Sequence, residues 1–268
     1  MAGIRIEDLS MVYTLPGGGS VRALEHVALD IPEGQMVAIL GPSGCGKTTL
    51  LNIVAGFLKP TSGAVVVGGR RVTGPGAERG MVFQQGALFE WMSVAENVGF
   101  GPRMAGRARR EADALVAELL RRVGLGGFAD TPVYRLSGGM QQRVALARCL
   151  ANDPGVILMD EPLGALDALT RERMQGLVLR LWKETGKTIV LITHSVEEAL
   201  FLGERLIVMA PRPGRVIRDM ALPFAEMALR TEARTVKASA DFVQVREEVL
   251  SMIWSMEEEI MGGAQDVT

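Results

Sequence analysis

Two cysteines, Cys45 and Cys149, are too few for a disulfide scaffold in a chain of 268 residues, and they fit a reducing compartment. Long hydrophobic runs are missing as well. None exceeds MVAIL at 36–40, whereas a membrane-spanning helix needs about 20 apolar residues. The N-terminus, MAGIRIEDLSMVY, lacks a basic start followed by an apolar core of roughly 7–15 residues, so no secretory signal is expected. No charge of one sign dominates: 29 Lys and Arg face 31 Asp and Glu, a net charge of -2, which argues against a nucleic-acid binder. Internal repeats and low-complexity segments are absent. What is present is apolar substance, 48% of the chain, ample for a core and too much for disorder. The expectation is a soluble intracellular α/β protein.

The first thirty or so residues alternate apolar and polar around Gly17–Gly19, which predicts a β-meander. MVAIL at 36–40, VILM at 156–159, IVLI at 189–192 and LIVMA at 206–210 read as buried parallel strands. Between them lie helical periods. Leu115, Leu119, Leu120 and Val123 share one face ahead of a C-capping Gly124, and Leu169, Met174, Leu177, Val178 and Leu181 share another that closes near Gly186. Strands alternating with helices imply a parallel sheet covered on both faces. Residues about 90–150 break that rhythm and predict an inserted helical subdomain. A helical tail over about 220–268 has Phe242, Val245, Val249, Ile253 and Trp254 as its apolar stripe.

Gly41-Pro42-Ser43-Gly44-Cys45-Gly46-Lys47-Thr48 fits G-x-x-x-x-G-K-[ST], preceded by a strand and followed by a helix, TTLLNIVAGF. Glycines let backbone N–H groups curl around phosphates while the helix N-terminus adds its dipole. Lys47 supplies charge to the β- and γ-phosphates and the Thr48 hydroxyl a ligand for Mg²⁺. VILMDEP at 156–162 ends a buried strand on Asp160, a carboxylate suited to Mg²⁺, with Glu161 beside it as candidate general base. Leu136-Ser137-Gly138-Gly139-Met140-Gln141-Gln142-Arg143 opens a helix with what is either an ordinary Ser cap or a second anion cradle. One triphosphate needs only one cradle, so the second would serve a nucleotide held by another copy.

This order of motifs resembles an ABC ATPase, the nucleotide-binding subunit of ABC transporters, over residues 2–255. The resemblance implies one domain over 1–268: a P-loop NTPase α/β core, an N-terminal antiparallel β subdomain and the inserted helical subdomain. It implies ATP and Mg²⁺ held by residues 41–48 with Thr49, and a catalytic set of Glu161, His194 and Gln84. Gln84, in VFQ, resembles the glutamine that touches Mg²⁺ or the lytic water. His194, in ITH, resembles the histidine that contacts the γ-phosphate. Tyr13 resembles the aromatic that stacks on adenine, and Asp167, in ALD, a dimer-contact residue. Ser137, Gly138, Gly139 and Gln141 would bind the nucleotide of the partner copy. His26 matches no motif and is read as structural, and Cys149 as core.

GPGAERGMVFQ at 74–84, GALDALTRERMQ at 164–175, APRPGRV at 210–216 and SADFVQVREEVL in the tail resemble the nitrate/sulfonate/taurine importer ATPases, the taurine members most closely. That implies a homodimer bound to two copies of an integral-membrane permease at the cytoplasmic face of the inner membrane. A periplasmic or lipoprotein substrate-binding protein would complete the system. Many relatives read Leu-Pro-Trp where this chain has Phe89-Glu90-Trp91, in a segment expected to meet the permease. The alternatives are an importer for nitrate or another small anion, and a soluble ABC ATPase outside transport. A P-loop GTPase or small-molecule kinase lacks support: no Asn-Lys-x-Asp guanine reader occurs, and either would leave the segment 136–139 unexplained.

Overall fold

The continuous apolar runs and the alternating ones fold into two different sheets. The computed structural model describes residues 2–84 and 87–262; Met1 and the end of the expected tail, 263–268, lie outside them. In chain order the elements are β1 (Ile4–Thr14), β2 (Ser20–Ile31), β3 (Met36–Leu40), α1 (Lys47–Ala55), β4 (Ser62–Val67), β5 (Arg70–Arg71) and β6 (Arg79–Val82). Then come α2 (Val94–Met104), α3 (Arg109–Arg122) and α4 (Gly138–Ala151), followed by β7 (Val156–Asp160), α5 (Ala168–Thr185), β8 (Thr188–Ile192) and α6 (Val196–Leu202). β9 (Arg205–Ala210), β10 (Arg215–Ala221), α7 (Phe224–Ala228), α8 (Ala233–Lys237) and α9 (Ala240–Gly262) close the chain.

The larger sheet has the order β10-β9-β3-β8-β7-β6, parallel except for the antiparallel edge strand β10. Its period-2 alternation divides the core. Met36, Ala38 and Leu40 of β3, with Ile157 and Met159 of β7, face a core shared with helices α2 to α6 and α9. Val37, Ile39, Val156 and Leu158 face the opposite core, built with α1 and the smaller sheet. Burial on both faces is why these strands are apolar throughout.

The smaller sheet, order β2-β1-β4-β5, is not a meander. β1 and β2 form a hairpin whose Gly17–Gly19 turn holds φ values of 92°, 96° and 94°, and β4 then pairs with the other edge of β1. Val65 and Val67 complete the apolar face that Ile4 and Ile6 begin, and so favour β4 there over a third sequential strand.

Helix ends follow their capping residues. Ser93 and Glu96 form a capping box on α2, Asp167 caps α5, and Gly186 ends α5 in the left-handed region. Two stripe residues depart from expectation for one geometric reason. Leu169 lies five residues before Met174, and Trp254 five after Val249, about 140° round a helix of 3.6 residues per turn. Leu169 is accordingly 69% exposed and Trp254 55%, while Met174, Phe242 and Val249 are buried.

Candidate functional site

The C-terminal ends of β3, β7 and β8, adjacent in the sheet order 3-8-7, bring three loops to one edge, where open parallel sheets bind ligands. The first loop is 41–48. A side chain at Gly41 would collide with the Met209 carbonyl oxygen, and one at Gly46, where φ is 90°, would lie 2.6 Å from Leu24 Cδ2. Glycine alone lets this loop pass between β2 and β9. No side chain caps the N-terminus of α1 among the described residues and its first turn holds no acidic residue, as suits a helix start that receives an anion. Ser43, Gly44 and Thr48 are exposed, whereas Pro42 and Cys45 are buried.

Lys47 is only 7% exposed. Its Nζ donates to the Gly41 oxygen at 2.7 Å and the Pro42 oxygen at 3.0 Å, with Cys45 Sγ at 3.7 Å. The loop's own carbonyls thus hold the ammonium. Burial pushes the Cys45 thiol pKa up, and the neighbouring Lys47 charge only partly opposes it. Cys149, buried in α4, is pushed up to about 12. Tyr13, at the end of β1, reaches the same loop: its hydroxyl lies 3.4 Å from Thr49 Oγ1.

From the second loop, Asp160 Oδ1 accepts a 3.4 Å hydrogen bond from the Thr48 hydroxyl. Burial, and then the Glu161 charge, hold the Asp160 carboxyl above its ordinary pKa, opposed by Thr48 and Lys47. Glu161 has φ 44°, an uncommon value for a non-glycine residue, and its N–H donates to the Ile192 oxygen at 2.9 Å. That backbone bond stitches β7 to β8 and turns the side chain toward the third loop. There His194 Nδ1 lies 3.0 Å from Glu161 Oε2. A methyl group on Gly164 would lie 3.5 Å from His194 Cε1 and 3.6 Å from Gln84 Nε2, so these two side chains converge over Gly164.

Ser137 sits elsewhere, as the N-cap of α4, its Oγ accepting from Met140 N at 3.4 Å. Gly138 is open to its surroundings, and Gly139 packs against Thr170 of α5. The Gln141 amide donates back to the Val133 and Leu136 oxygens, propping the turn before α4. Asp167 Oδ1 accepts from Thr170 N at 3.0 Å, which holds its carboxyl below the ordinary range. His26, at φ 49°, pairs with Asp8 at 2.6 Å on the exposed surface of the smaller sheet.

Two supports were not legible in the sequence. Arg171 donates to the Leu163 and Leu166 oxygens and so braces the loop between Glu161 and Asp167. Around His194, the Thr193 hydroxyl donates to Glu198, Ser195 N donates to Thr193 Oγ1, and Glu198 N donates to Ser195 Oγ. Arg171 lies one turn after Asp167 and Glu198 one turn after His194, and that spacing is the only trace either leaves.

This arrangement can be set against known proteins. A family model described as ABC transporter matches residues 24–164, more than half of the chain. The chain belongs to the ABC transporter family. It is 67% identical over 266 residues to the taurine import ATP-binding protein TauB of Roseobacter denitrificans, covering 99% of each chain. It is also 67% identical over 262 residues to TauB of Ruegeria pomeroyi, 98% of each. Among solved structures it resembles the dimeric ATP-binding cassette MJ0796 in a post-hydrolysis state bound to ADP and Pi, with 36% identity and a TM-score of 0.72, over 82% of this chain and 98% of that one. As an ABC transporter ATPase subunit the chain binds ATP, and its ATP hydrolysis is coupled to transport. Such cassettes dimerise and work with membrane permease components. No helix among the described residues is long and apolar enough to cross a membrane.

Proposed function

We propose that this chain energises the import of taurine or a related sulfonate. The observation that carries the reading is 67% identity, over 99% of both chains, to a taurine import ATP-binding protein. Two copies would sandwich two ATP molecules, each between the 41–48 loop of one copy and Ser137, Gly138, Gly139 and Gln141 of the other. Asp167, at the start of α5, would contact the partner copy. Closing the pair would move the permease, and hydrolysis would reopen it.

Within one site the contacts described above support a role for each residue. Lys47 exchanges two carbonyl oxygens for the β- and γ-phosphates, a stronger charge-assisted partner. Glu161 takes a proton from the attacking water, oriented through its contact with His194, which also reaches the γ-phosphate. Thr48 and Asp160, a hydroxyl and a carboxylate 3.4 Å apart, are hard oxygen donors that fit Mg²⁺ together with phosphate oxygens, and Gln84 stands at the site's edge as a further ligand. When bound there, the ion neutralises charge developing on the phosphates.

The permease would dock where Phe89 and Trp91 pack at 5.4 Å, the latter 79% exposed, placing the ATPase at the cytoplasmic face of the inner membrane. An external substrate-binding protein would deliver the ligand, whose chemistry never reaches this chain.

Two tests arise here. Adenine is held by stacking on Tyr13, and base–aromatic stacking is worth roughly 1–3 kcal/mol. Tyr13→Ala should therefore raise the nucleotide dissociation constant by about 5- to 150-fold, while Tyr13→Phe and Tyr13→Trp stay close to the native value in a fluorescent-nucleotide titration. Equal behaviour of all three variants would remove the stacking role. The transported ligand is tested in a deletion strain, which should fail to grow on taurine as sole sulfur source yet grow on sulfate. Undiminished taurine uptake would overturn the substrate while leaving the ATPase intact.

A further inference from the structure

α4 is capped by Ser137 and runs past the residues that follow β6. Gln142, within its first two turns, is 4% exposed, and its Nε2 donates to the Phe83 oxygen at 3.1 Å. Phe83 is bonded directly to Gln84. Further along the same helix, Arg148 donates to the Ala87 oxygen at 2.8 Å, and its guanidinium lies over the Phe89 ring, 5.6 Å from the centroid. Gln142 thus holds the backbone just before Gln84, and Arg148 holds it again at Ala87.

A buried amide donor that loses its acceptor is costly, so this bond favours arrangements in which the Phe83 peptide keeps its place against α4. Gln84 shares that peptide, and its side chain ends beside His194 over Gly164. We infer that Gln142 is a positioning residue for hydrolysis, fixing Gln84 over the reacting phosphate, with Arg148 as a second tether. The inference rests on the role proposed above for Gln84, and on Ser137 acting on the partner's nucleotide. One rigid helix then presents Ser137 to the partner's ATP and sets Gln84 for its own. Engagement of one site is transmitted through a side-chain hydrogen bond to the other.

The test is a double-mutant cycle on the full-length chain in membranes with its permease, reading kcat and KM for ATP, with ATP affinity and melting temperature measured alongside. Gln142→Met keeps the volume and removes the donor. It should remain folded, with a lowered melting temperature, and bind ATP within about twofold, while kcat falls at least about tenfold, as in Gln84→Ala. Because Gln142 acts through Gln84, the double variant Gln84→Ala/Gln142→Met should be no slower than Gln84→Ala alone. Multiplied losses would overturn the inference, and so would native kcat in a folded Gln142→Met. Should that variant fail to fold, Arg148→Met in the same cycle decides on the same criteria. Native activity in Gln84→Ala would instead overturn the role of Gln84 itself, a result distinct from failure of the tether.

Discussion

Glu161→Gln is expected to bind ATP and keep it, whereas Lys47→Ala is expected to bind it poorly. Both should lose turnover, but by different routes. The glutamine keeps the shape and hydrogen-bonding reach of Glu161 beside His194, yet cannot take a proton. Loss of a positioned base costs on the order of 10²–10⁴-fold in rate. The variant should therefore accumulate as an ATP-bound dimer, eluting ahead of the monomer in size-exclusion chromatography. Lys47→Ala removes a buried charge that the loop holds ready in Gly41 and Pro42 oxygens. Hydrogen bonds involving a charged group are worth roughly 1.5–3 kcal/mol, so ATP affinity should fall by at least about tenfold. A fully active Glu161→Gln would take the base role away from that residue.

The second large effect is a rescue. Homodimers of Lys47→Ala and of Ser137→Arg should both be inactive, since each carries its defect in both sites. In a mixed dimer the lesions segregate if Ser137 serves the partner's nucleotide. One site then carries both changes, and the other is native at both positions. Equilibrium dialysis of purified, differently tagged heterodimers, without hydrolysis, should find one tightly held ATP per pair. If each chain's Ser137 served its own nucleotide, every site would remain damaged and the tight site would vanish. Binding is the cleaner readout because a single competent site need not complete the transport cycle.

Much of the framework is written in local pattern. MVAIL, VILM, IVLI and LIVMA become β3, β7, β8 and β9 because burial on both faces removes any polar alternation. The ends of three of those strands deliver the lysine, the two acids and the histidine, and that too is legible as motif plus flanking strand. What local pattern omits is which strands are neighbours. β4 inserts beside β1 through pairing that leaves no mark in the alternation of either. The Glu161–His194 contact exists only because β7 lies beside β8, with Asp160 opposite Ile192. Gln142 and Arg171 bond to backbone carbonyls, and the identity of such partners is not written in the sequence. Leu169 and Trp254 show the opposite error: apolar residues admitted to a stripe from which they stand about 140° away.

The place of β3 in its sheet also governs how the molecule is made. β3 has no neighbour among the strands before it or soon after it: Met36 pairs with Ile189, and Val37 with Arg205. A ribosome adding roughly 5–20 residues per second completes the phosphate loop on the order of 10 s before it completes the strands that flank it. Through that interval the loop hangs on an unpaired strand, and the closure entropy of the long intervening segment is still unpaid. ATP stabilises a protein only in proportion to its preference for the folded form. Its stabilising effect on this chain should therefore be fullest once β8 and β9 have emerged and closed around β3. The strands that complete the phosphate loop's support are thus among the last the ribosome delivers.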